Sequence, residues 1–305
     1  MHLLKAFSLM PRYLVFALLS VLAWSTIGTA MKLTVEQTDI ISLLVISVST
    51  ALLILLTFII ITKKVDQIIP KNKSEWLYSI VSGVLNPTAY YLILLNAYNL
   101  LPAQEAGTLN YFWPFILVIL SIPVLKQTPG WHGIIGIFIG FSGLVVISTH
   151  GDPTSFRFSN TTGVILAISS AFIWATFWLI NMKDKRDDII KLFNSFLIAL
   201  IILLIAFFIA PSSQELTPKS LLGGIYLGTF EMGITFIFWL KALKEAPNTA
   251  TVSNLVFLSP FISLIIISIV LKETILLSTI SGLALIVLGI LFSNFRRKLP
   301  KNISQ

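Results

Sequence analysis

Glu231 is the residue in this sequence best placed to do chemistry. It stands in LGTFEMGITFIFWLKAL, a run whose only other charge is Lys241. Deep in a bilayer an ionised carboxylate costs about 3 kcal/mol or more unless it is paired, hydrated or protonated. Such a group can be the counter-charge for a substrate ammonium or can carry a coupling proton. It can also make a hydrogen bond that only joins two helices. Asn110 and Asn254 are the next polar side chains in apolar surroundings. Each has two donors and an acceptor to place, so each either lines a cavity or links helices.

Aromatic side chains supply the second kind of chemistry. Trp24, Trp113 and Trp174 fall inside apolar segments, whereas Trp76 and Trp131 sit at segment ends, where an interfacial belt is the ordinary home of tryptophan. Flat ring faces inside a bundle can hold an aromatic or cationic solute, or can simply pack. In NPTAYY, from Asn86 to Tyr91, Pro87 removes a backbone donor and frees a carbonyl. Pro114 and Pro260 are expected to do the same in their own segments. These three prolines are candidate hinges, with static kinks as the alternative. Tyr90 is expected to present its hydroxyl to the path, with one of the Tyr90–Tyr91 pair facing lipid. Glu105 reads as a partner for a helix N-terminus and not as a ligand.

Other chemistries are poorly provided for. There is no cysteine, and the three histidines, His2, His132 and His150, are far apart and lack nearby carboxylates at ligand spacing. No metal site, phosphate-binding loop or G-x-S-x-G elbow is present, so neither a cofactor nor nucleotide-driven coupling is expected. The net charge of +8 does not imply nucleic acid, because the basic residues fall in short loops between apolar runs.

The elements that must position these residues are membrane helices. The chain is 56% hydrophobic and 11% charged, too apolar for a soluble domain of its size. Ten apolar segments emerge, near 12–31, 40–62, 76–98, 104–125, 131–149, 160–181, 189–210, 220–243, 248–271 and 275–294. They lack the short alternation of barrel strands. Lys5 and Arg12 precede the first run, and small residues follow at Thr26–Ala30, but the run is long for a signal sequence and reads as a retained helix. With the N-terminus placed inside, 17 of the 21 Lys and Arg residues fall inside and 4 fall outside (Lys32, Arg157, Lys219, Lys272). That bias predicts two cytoplasmic termini in a bacterial inner membrane.

The chain also repeats itself. LNYFWPFILVILSIPVLKQT, from Leu109 to Thr128, aligns with LVFLSPFISLIIISIVLKET, from Leu255 to Thr274. The shift of 146 (260 − 114) also carries Gly136 to Gly282 and Gly143 to Gly289, and SVLAWST at Ser20–Thr26 matches SAFIWAT at Ser170–Thr176. Five spans per copy is an odd number, so the second copy enters the membrane inverted, an arrangement common in transporters. The expectation is an all-α membrane protein with two inverted five-helix repeats, residues 1–150 and 151–305.

Ten helices, two five-helix halves and a proline in helices 4 and 9 resemble the drug/metabolite transporter superfamily, with its two EamA-type repeats. The resemblance covers nearly the whole chain. Within it, PAQEAGTLNYFWPFILVILS, from Pro102 to Ser121, is similar to the aromatic amino acid exporters, which carry an E…NY-x-WP pattern in helix 4. This resemblance implies export by alternating access through a central cavity, with helices 1, 3, 4, 6, 8 and 9 around the path and helices 5 and 10 at the ends. Val256 and Ser259 stand where the first half has Asn110 and Trp113, so the site must be asymmetric.

The leading expectation is therefore a secondary-active exporter of small metabolites, with aromatic or neutral amino acids first. Its substrate-binding residues would be Trp24, Tyr90, Asn110, Trp113, Trp174, Glu231 and Asn254. A broad drug or organic-cation exporter is the alternative. A membrane-embedded lipid enzyme is weaker, because only Lys183–Asp188 is charge-dense enough for it, and that run reads as a topological anchor. The expected partners are a small-molecule substrate, lipid and, through Glu231, protons.

Overall fold

Apolar runs this long satisfy their backbone polar groups in lipid only as helices. The computed structural model describes residues 10–125, 131–152, 159–209, 216–245, 255–256 and 258–294, and among these the regular structure is helical throughout. The helices are α1 (Arg12–Val35), α2 (Ile40–Ile61), α3 (Lys73–Leu100), α4 (Ala103–Val124), α5 (Trp131–Ser148), α6 (Thr161–Lys183), α7 (Asp188–Ile209), α8 (Pro218–Ala242), α9 (Leu258–Val270) and α10 (Leu277–Asn294). Seven of them, α1–α4 and α6–α8, are long and apolar enough to cross a membrane, and the other three are shorter apolar helices.

Several starts are fixed by caps legible in the sequence. Asp39, Asn72 and Asn160 accept from the amides of Ser42, Glu75 and Gly163, and Thr217 and Ser220 cap each other reciprocally. Each cap stands just before an apolar run, where an otherwise unpaired helix N-terminus needs an acceptor.

The helices pack in pairs that exchange under the repeat. Helix α1 packs on α8, and its counterpart pair is α6 on α3. Helix α9 packs on α1, as α4 packs on α6. Helix α2 packs on α7, and α5 on α10. The α5–α10 contact gives the symmetry residue by residue. A Cβ on Gly143 would lie 2.4 Å from the carbonyl oxygen of Gly282, and one on Gly289 would lie 2.6 Å from that of Gly136. Replacing each of these residues by its repeat mate turns one contact into the other. The glycine face in α5 thus serves helix packing within the chain.

Three of the spans are interrupted. Helix α3 passes through a wide turn at Val84–Ala89, with Asn86 extended at φ −145°, ψ 122°. Helix α8 has a wide turn at Gly228–Gly233. The repeat shift carries residue 84 to 230, so the two breaks fall within two residues of equivalent positions. Helix α4 is also in two pieces, the first ending at Asn110 and the second starting at Trp113. Pro114 is the second residue of the later piece and Pro260 the third of α9. In these first turns no intrahelical donor is lost, so neither proline frees a mid-helix carbonyl as the sequence suggested; of the three candidate hinges Pro87 alone lies in a helix interior, and Pro123 lies inside the later piece of α4. The break in α8, which contains Glu231, has no proline at all.

Apolar side chains cover the outside: Phe138, Phe208, Leu222 and Ile269 are exposed. Polar side chains are turned inward, including Ser20, Ser25, Ser170, Ser259 and Glu231, all buried. This inversion of the soluble pattern suits a hydrocarbon solvent.

Candidate functional site

A cavity of about 510 Å³ lies between the two repeats, walled by α1, α3, α4, α6, α8 and α9. Trp24, Tyr90, Asn110, Trp113, Trp174 and Glu231 all line it, and so does Pro260. Pro87 is not among the described lining residues, and the Pro114 side chain and Asn254 lie outside the described part of the structure.

Glu231 is buried in the wide turn of α8, and its Oε1 accepts from the Tyr91 hydroxyl at 2.9 Å. Irregular helical turns of this kind recur at functional sites because they re-aim one side chain without ending the helix. Tyr90 and Tyr91 are both buried, so the expected lipid-facing member of the pair does not exist. The wide turn in α3 just before them changes the helix register there, which a straight-helix reading cannot anticipate. The Tyr90 hydroxyl donates to Asn110 Oδ1 at 3.2 Å, and Asn110 Nδ2 donates to Ser170 Oγ at 2.8 Å. One polar chain thus joins α3, α4 and α6 beside the cavity, while the Tyr91–Glu231 bond joins α3 to α8.

The rings form a continuous wall. Trp239 lies 5.2 Å from Trp24, and Trp24 and Trp174, the repeat mates, are each 6.2 Å from Phe236. Trp174 lies 4.6 Å from Tyr90, and Tyr90 lies 4.7 Å from Tyr91, which holds Glu231. These separations suit tilted and edge-on aromatic contacts.

The two ends of the cavity differ. At one end Met31, Tyr98 and Gln104 are buried, whereas Met182 at the other is exposed. The buried end is tied across the repeats. Glu273, in the α9–α10 connection, accepts from the amides of Ala103 and Gln104 at 2.9 and 3.3 Å, capping α4. Gln104 Nε2 donates to the Thr274 carbonyl at 3.0 Å, and its Oε1 accepts from Thr279 Oγ1 at 3.1 Å and the Leu276 amide at 3.3 Å. Glu105 is buried, accepts from Ser159 Oγ at 2.5 Å and lies 3.4 Å from His150 Nε2; it ties the first turn of α4 to residues between α5 and α6 and is not among the described lining residues.

Sequence reasoning missed Gln104, Tyr98, Trp178, Trp239 and Glu273. A signal existed for Glu273, since LKET answers LKQT in the repeat and places a carboxylate where the first copy has Gln127. Lys241 holds its Nζ 5.4 and 5.1 Å from the ring centres of Phe16 and Phe58, away from the cavity.

Comparison with known proteins places this architecture. The model of the EamA-like transporter family matches residues 11–149 and again 161–295. The chain belongs to the EamA-like transporter family. This EamA-like protein is therefore a multi-pass membrane transporter with a ten-helix fold, not an enzyme. It is 28% identical over 233 residues to the uncharacterized transporter YvbV of Bacillus subtilis, covering 75% of each chain. It is 30% identical to an uncharacterized transporter of Acidianus ambivalens, covering 68% of this chain and 80% of that one. The aromatic amino acid exporter YddG of Salmonella typhimurium is 20% identical, with 61% of this chain and 65% of that one covered. A solved crystal structure superposes with a TM-score of 0.66 at 17% identity, covering 92% of this chain and 96% of its own, which shows a shared fold alone.

Proposed function

We propose that this EamA-like transporter is a secondary-active exporter of small amphipathic metabolites carrying an ammonium group, working by alternating access. Residues 1–150 and 151–305 act as its two repeat units, in a bacterial inner membrane with both termini in the cytoplasm. The observation that carries the reading is the buried carboxylate of Glu231, the one acidic group among the described residues that line the aromatic cavity at the interface of the repeats. With the basic loops inside, the Gln104 end is extracellular and closed and the Met182 end faces the cytoplasm, a state that can load cargo from within. Trp24, Tyr90, Asn110, Trp113 and Trp174 hold the body of the solute, and Asn254, outside the described residues, is assigned to the same set from the sequence. Pro87 is a hinge inside α3, and Pro114 and Pro260 are hinges at helix starts. Energy comes from an ion gradient or the solute's own gradient, with Glu231 as the proton carrier if protons are coupled.

Two solute classes share the ammonium: aromatic or neutral amino acids, supported by the likeness to the Salmonella exporter, and organic cations, supported by the lack of a basic side chain among the described lining residues. Flux of labelled amino acids and amines from proteoliposomes tests the site. The double variant Glu231→Gln, Trp113→Ala is expected to lose transport, and flux equal to the natural protein would reject the assignment.

A further inference from the structure

The charge around the cavity is one-sided. The described lining holds one carboxylate, Glu231, together with Trp24, Trp113, Trp174, Trp178 and Trp239, and no lysine, arginine or histidine. Two basic groups on the lining helices α1 and α8 are engaged outside the lining. Lys32 Nζ donates to the carbonyls of Tyr98 and Leu101 at 2.8 and 3.1 Å, and Lys241 lies over Phe16 and Phe58. Glu231 Oε1 is taken by Tyr91, and among the described residues no donor meets Oε2.

A solute ammonium at Oε2 would leave the loaded cavity neutral. An amino acid supplies the same ammonium but adds its own carboxylate, which the described lining can answer only with neutral donors. The loaded cavity would then keep a net negative charge in a medium of low dielectric, where an unbalanced charge is costly. The ring faces add to the bias, since their negative quadrupole attracts cations and repels anions. We propose that the preferred cargo is a monocationic amine with an aromatic or apolar body and no free carboxylate. This rests on the reading of the cavity as the substrate site and chooses among the solutes that reading admits.

Four probes of one ring size separate the possibilities: phenethylamine, phenylalanine methyl ester, phenylalanine and 3-phenylpropionate. Binding is measured by calorimetry on the full-length protein in detergent, which removes passive leak of the amine. The amine and the ester are expected to bind at least about tenfold tighter than phenylalanine, and the acid least. Glu231→Gln is expected to bring amine and amino acid within about twofold of each other, and Glu231→Asp to restore the preference, with gel filtration showing that both variants stay folded. Phenylalanine binding as tightly as phenethylamine or tighter, with loss of binding in Glu231→Gln, would overturn the inference and leave the site assignment standing. Failure of all four probes to bind would overturn both.

Discussion

Glu231 and Tyr91 are the residues on which transport should depend most directly. The Tyr91 hydroxyl fixes Glu231 by one oxygen and leaves the other to the cavity. Hydrogen bonds to charged groups are worth about 1.5–3 kcal/mol. Tyr91→Phe should therefore weaken solute binding by about tenfold or more, read by calorimetry with whichever of the four probes binds tightest; unchanged affinity would remove Tyr91 from the site. Glu231→Gln should reduce flux at least about tenfold while melting temperature stays level or rises, because the amide oxygen can still accept from Tyr91 and a buried charge is gone. A sharp drop in melting temperature with normal flux in the folded fraction would make Glu231 a structural staple instead.

At the scale of elements, α5 and α10 are joined where backbone meets backbone. A Cβ on Gly143 would enter the Gly282 carbonyl at 2.4 Å, and a rigid carbonyl cannot yield as a side chain can. Gly143→Leu should cost about 1–3 kcal/mol by overpacking, seen as a lower melting temperature in detergent. The neighbouring Ser142, exposed on the same helix, should accept leucine with no loss. Equal melting temperatures for the two variants would show that the α5–α10 seam is loose. Helix α4 is held at its start by a carboxylate from the other repeat, Glu273. Glu273→Ala frees those amides and should raise solvent access to the Gln104 end. The readout is faster labelling of Q104C by a membrane-impermeant thiol reagent; an unchanged rate would mean the contact does not close that end.

For the molecule as a whole, alternating access requires the Gln104 end to part. The side chains of Gln104 and Thr279 meet across the repeats at 3.1 Å. The chain has no cysteine of its own, so a Q104C/T279C pair can be oxidised without background. Oxidation should abolish transport and reduction should restore it; full activity in the cross-linked protein would mean the path does not pass that end.

Much of the architecture was legible in the residues. The lengths of apolar runs set the spans, because lipid leaves a backbone no partner but itself. The matched Pro-Phe and glycine positions gave two copies, and an odd number of spans per copy made them inverted. The types of most cavity residues were legible too, because Glu231, Asn110 and inner tryptophans cost too much against lipid to lie anywhere but inside. What tertiary structure alone decided is how these groups face one another. The wide turns in α3 and α8 shift register within a helix, which buries Tyr91 against Glu231, and in α8 no proline announces the turn. The partners Gln104–Thr279 and Glu273–Ala103 lie at least 170 residues apart in sequence. A hydrophobic pattern tells a residue which solvent to avoid, but not which neighbour it will meet.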